Sequence, residues 1–124
     1  MSETHDRADK VPGTFKQFVA RFPELGKAHE QIAAAVEAAG PLDRKMQELI
    51  KIGLSVGAGL ESGVRAHIRR ALREGASPAE IEQSILLAYN TCGWPRMVAA
   101  WRWMNEQLGG QQGSDGGERA PSGA

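Results

Sequence analysis

The sequence predicts an all-α fold. Apolar residues recur at intervals of three and four between the two ends of the chain, no stretch alternates apolar and polar residues as a strand would, and capping residues or prolines stand where the periodicity needs helices to begin. The 124 residues suit one ordinary domain, and 41% apolar content suits a folded chain. The ends differ from the rest. MSETHDRADK is almost wholly polar and GGQQGSDGGERAPSGA is rich in glycine, serine and charge, so neither buries enough surface to offset the entropy of ordering it. The expected organisation is a disordered tail over 1–12, one domain over 13–108 and a second disordered tail over 109–124.

Six helices are expected. The first runs from Thr14, which can cap, to Phe22, with Phe15, Phe18, Val19 and Phe22 on one face before Pro23 interrupts it. In the second, PELGKAHEQIAAAVEAA, Pro23 occupies the first turn, Leu25, Ile32 and Val36 share a side, and Gly40-Pro41 stops the helix. Asp43 caps the third, DRKMQELIKIGLSV, whose apolar side is Met46, Leu49, Ile50 and Ile52 with Glu48 among them in sequence, and Gly57-Ala58-Gly59 closes it. The fourth, ESGVRAHIRRALRE, carries Val64, Ile68 and Leu72 on one stripe, leaves its arginines largely outside that stripe, and ends at Gly75. Ser77-Pro78-Ala79-Glu80 combines a capping box with proline at the first helical position and starts the fifth, through Ile81, Ile85, Leu86 and Tyr89. The sixth begins near Pro95, aligns Met97, Trp101, Met104 and Leu108, and turns Trp103 to another face.

A core built from fewer than a hundred residues is thin, and self-association is a common way to bury more apolar surface. Trp94, Trp101 and Trp103 crowd one short stretch, so a homo-oligomer with at least one of them at an interface is expected.

Fifteen basic and fifteen acidic residues cancel, and no basic run is present, which argues against a nucleic-acid partner. No charged start leads into an apolar stretch and nowhere do eighteen apolar residues follow one another, so no membrane association and a cytoplasmic location are expected. Cys92 is the single cysteine, which excludes an intrachain disulfide and any cysteine cluster for zinc or iron–sulfur; it reads as a small buried hydrophobe, and no metal site is assigned.

Residues with catalytic potential are few: Glu48 on the third helix, His67 on the fourth, and Arg65, Arg69 and Arg70 around it. The third and fourth helices form a hairpin. Counting from the turn, Glu48 lies about eight residues before it and His67 about six after, so at roughly 1.5 Å of rise per residue they stand within about 3 Å of the same height. A carboxylate beside an imidazole orients the ring, raises its basicity and supports the imidazolium, which suits acid and base chemistry. The bland alternative is a structural hydrogen bond or two solvated side chains.

The run ELIKIGLSVGAGLESGVRAHIRRALREGASPAEIEQSILLAYNTCGWP resembles the core of the carboxymuconolactone decarboxylase and alkylhydroperoxidase D family, and the likeness covers residues 15–108. It rests on E-L-I at Glu48, R-A-H-I-R-R-A-L across His67, the G-A-S-P-A-E-I cap, and the glycine-aromatic-proline step from Gly93 to Pro95. In the peroxidase branch a C-x-x-C pair lies between that glutamate and that histidine; here Leu60 and Gly63 hold those positions and supply no thiol. The decarboxylase branch does without the cysteines. The resemblance therefore implies an alkylhydroperoxidase-like helical bundle around the hairpin, trimeric or hexameric assembly, and a cofactor-free lyase or proton-transfer enzyme acting on a small organic acid or lactone. In it His67 would donate the proton, Glu48 would orient it, and Arg65 or Arg69 would hold a substrate carboxylate. A peroxidase and a noncatalytic helical binding module are the alternatives.

Overall fold

The computed structural model describes residues 13–114, with side chains described for 13–110; the expected N-terminal tail and the last ten residues lie outside that range. The described backbone is helical, with no strand, as the periodicity predicts. Its helices are α1 (Gly13–Arg21), α2 (Pro23–Glu37), α3 (Arg44–Ala58), α4 (Glu61–Arg73), α5 (Pro78–Leu86), the single turn α6 (Tyr89–Cys92) and α7 (Trp94–Ser114). They fall into two compact units that part between Leu42 and Asp43.

The first unit is the α1–α2 pair. Phe15 meets the His29 ring edge-on at 6.3 Å, Phe18 lies 5.1 Å from Phe22, and Arg21 sits over the Phe22 ring at 4.8 Å. Pro23 opens α2 as expected, with its missing N–H costing nothing there. Leu25, Ile32 and Val36 of α2 are all more than half exposed.

The second unit holds the core. Asp43 caps α3 by accepting from the Met46 amide at 2.8 Å. Only Gly59 and Leu60 separate α3 from α4, and the contacts pair low numbers with high ones, Ser55 against Gly63 and Glu48 against His67, so the two helices run antiparallel as a tight hairpin. At Gly63 any β-carbon would stand 2.9 Å from the Ser55 hydroxyl, so the absent side chain is what lets α4 lie this close to α3. Ile52 and Val56 of α3, Val64, Ile68 and Ala71 of α4, Ile81 and Ile85 of α5, and Met97, Ala100 and Met104 of α7 form one buried cluster. Each fully buried isoleucine contributes about 1.5–3 kcal/mol relative to exposure.

Three boundaries and faces differ from the sequence reading. The fifth helix stops at Leu86, and a turn at Leu87–Ala88 separates it from α6, because Ile81, Ile85 and Tyr89 keep a spacing of four that does not register a break without glycine or proline. The last helix continues six residues past Leu108, to Ser114. On α3, Met46 and Ile50 are each 44% exposed, whereas Glu48 joins Ile52, Ser55 and Val56 on the buried stripe.

Candidate active site

Glu48 is 2% exposed, set on the face of α3 that α4 covers. Its Oε1 lies 2.7 Å from Nδ1 of His67, so the two residues meet directly, as counting along the hairpin predicts. Nη1 of Arg70 approaches the same ring nitrogen at 3.1 Å, and Nζ of Lys51 lies 3.7 Å from Oε2 of Glu48. Burial by itself would raise the Glu48 carboxyl. The His67 hydrogen bond and the charges of His67, Lys51 and Arg70 together outweigh it and hold the group below its ordinary value of 4.5. Glu48 is therefore ionised at neutral pH and accepts, which puts a proton on Nδ1 and leaves Nε2 as the nitrogen available for proton transfer. Nε2 makes no hydrogen bond among the described residues, and the His67 side chain keeps 19% of its surface exposed.

The three arginines around His67 have different surroundings. Arg65 faces outward, bonded to Glu61 at 2.9 Å and to Glu106 of α7 at 2.6 Å, and these carboxylates raise its already high pKa. Arg69 is half-buried on the next flank. Arg70, expected outside the apolar stripe, is 5% exposed, because three residues after His67 the helix turns that side chain inward toward α3. The sequence signal that marks it is its i,i+3 relation to the histidine.

Leu60, at the position of the peroxidase branch's first cysteine, is exposed at the start of α4. At the second, Gly63, a thiol-bearing side chain would displace Ser55. Cys92 is half-buried and packs against Gly57. No group of three histidine, cysteine, aspartate or glutamate side chains that could hold a metal occurs among the described residues, and no described helix is long and apolar enough to cross a membrane.

A cavity of about 760 Å³ opens between α3 and the α5–α6 segment, lined among others by Met46, Ile50, Leu54, Leu87 and Cys92. It occupies the flank of α3 away from the buried stripe, and neither Glu48 nor His67 lines it.

Residues 23–106 match the model of the carboxymuconolactone decarboxylase family. An uncharacterised protein of Methanocaldococcus jannaschii is 28% identical over 105 residues, which are 84% of this chain and 98% of that protein. The nitrosuccinic acid decarboxylase of Metarhizium robertsii is 39% identical over 61 residues, 48% of this chain and 41% of that protein. No solved structure matches.

Proposed function

The chain belongs to the carboxymuconolactone decarboxylase family, and from that premise and the Glu48–His67 contact we propose a cofactor-free lyase that removes carbon dioxide from a small organic acid or lactone. The observation that carries the proposal is the 2.7 Å bond between a buried, ionised carboxylate and an imidazole whose other nitrogen is uncommitted. The likeness to a nitrosuccinic acid decarboxylase supports decarboxylation rather than peroxide reduction, as does the absence of thiols at Leu60 and Gly63.

In the reaction the bond to the carboxylate carbon breaks heterolytically, carbon dioxide departs, and the electron pair passes into an acceptor group on the substrate, such as a lactone carbonyl or a nitro group. Nε2 of the charged His67 ring then gives its proton to carbon. The ring becomes neutral, keeps its Nδ1 proton on Glu48, and regains the Nε2 proton from solvent. Arg69 would hold a substrate carboxylate, and Arg65 would do so by releasing Glu61 or Glu106. The working unit is a homo-oligomer, trimer or hexamer, and of the three tryptophans Trp94, at 63% exposure, is the one with most surface left to bury in it.

The test is carbon dioxide release by wild type and His67→Ala from carboxymuconolactone, nitrosuccinate and related small acids. Release that falls at least a hundredfold in the variant is expected, roughly the share of an acid catalyst. A second reading, a binding module, is favoured by the cavity on the far flank of α3. No release, together with thermal stabilisation by a small ligand that His67→Ala leaves unchanged, would replace the lyase with that reading.

A further inference from the structure

His67 Nδ1 has two competing neighbours. A carboxylate oxygen at 2.7 Å can only accept and a guanidinium nitrogen at 3.1 Å can only donate, so one nitrogen cannot satisfy both. The shorter contact goes to Glu48, which is ionised, so the ring proton lies between Nδ1 and Oε1. Arg70 then acts on the ring through charge rather than by a hydrogen bond. A nearly buried carboxylate left alone beside the ring would stabilise the imidazolium strongly and make it a reluctant proton donor. The guanidinium, nine-tenths buried in the same place, works in the opposite sense.

Resting on the lyase reading, we propose that Arg70 is a positioning residue for the reaction: its guanidinium offsets Glu48 at Nδ1 and so sets how readily His67 exchanges its Nε2 proton with substrate. Lys51 on α3 adds to this from the far side of the carboxylate. The carboxylates of the packed helices have partners of their own: Glu106 of α7 binds Arg65 and interacts with Arg102, Glu80 of α5 binds Lys45 and Ser77, and Glu82 of α5 accepts from Trp101. With a neutral ring, Glu48, Arg70 and Lys51 sum to one positive charge, which favours an anionic substrate.

The experiment reads the His67 ring in the full chain by nuclear magnetic resonance at pH 7, its signals identified by their loss in His67→Ala. They report the ratio of charged to neutral ring and the nitrogen that keeps its proton. Arg70→Met is expected to raise that ratio about tenfold, Arg70→Lys to leave it within about twofold, and Glu48→Gln to lower it. An unchanged ratio in folded Arg70→Met, or in Arg70→Gln should the first variant not fold, overturns the proposal. So does a wild-type neutral ring protonated at Nε2, which requires no variant. These signals are read without substrate, so absent carbon dioxide release with the expected ratios sinks the lyase reading alone. His67-dependent release with an unchanged ratio sinks only the role of Arg70.

Discussion

Glu48 shows how a charge is kept inside a small helical core. It is 2% exposed, and the energy that burial costs is offset by His67, Lys51 and Arg70. Removing the carboxylate takes a buried negative charge away from His67, Lys51 and Arg70 together, so Glu48→Ala should destabilise the protein by about 3–5 kcal/mol, measured by urea unfolding. The pH dependence follows with a definite sign. The folded group titrates below its ordinary 4.5, so the unfolded chain binds more protons there; the stabilisation is complete above that value and lost as pH falls through the folded value. The stability gap between wild type and Glu48→Gln should therefore be larger at pH 7 than at pH 3, and a gap that widens in acid would contradict the assignment. Much of this was legible in the sequence: Gly57-Ala58-Gly59 marks the turn of the hairpin, and counting about eight residues back from it and six forward brings Glu48 level with His67. The burial of Arg70 was harder to read, because Arg65, Arg69, Arg70 and Arg73 are chemically alike, and the i,i+3 relation to His67 singles out Arg70 only once the direction of α3 as seen from α4 is known.

At the scale of the helix, signals written in local hydrogen bonds were readable and those set by tertiary packing were not. The Ser77–Glu80 capping box is the clearest of the former: Ser77 Oγ accepts from the Glu80 amide at 3.1 Å, and Glu80 accepts from the Ser77 amide at 2.9 Å. Glu80 also takes Lys45 of α3 at 3.1 Å, so the cap ties α5 to the helix bearing Glu48. Ser77→Ala should cost about 1 kcal/mol in urea unfolding, and Ser77→Asp, which can still cap, should recover most of it. Equal losses in both variants would mean that the box contributes little. The α3 face is the contrasting case. Met46 and Ile50 are as apolar as Ile52, yet they line the cavity beside α5 while Ile52 is fully buried, a division that depends on where the neighbouring helices cross.

For the whole molecule, the arithmetic of surface points toward assembly. Leu54, Leu87, Tyr89, Trp94 and Val98 of the second unit all remain substantially exposed, Leu87 at 71% and Trp94 at 63%, with the Tyr89 and Trp94 rings edge to face at 6.1 Å. Aromatic anchors of this kind carry a disproportionate share of interface energy, commonly 2 kcal/mol or more each, because they remove much apolar area from water for little side-chain entropy. Trp101 and Trp103 differ: both pack partly against the core, and Trp101 donates to Glu82 at 2.8 Å, so they have less surface to give a partner. Light scattering on the full chain should thus find a multimer, and Trp94→Glu should weaken it by roughly thirtyfold or more, the equivalent of about 2 kcal/mol. The helical circular dichroism should not change, since Trp94 supports no buried contact in the core cluster. A multimer that survives the substitution places the interface on another face, such as the exposed Leu25, Ile32 and Val36 stripe of α2, and a wild-type monomer removes the expectation of assembly altogether.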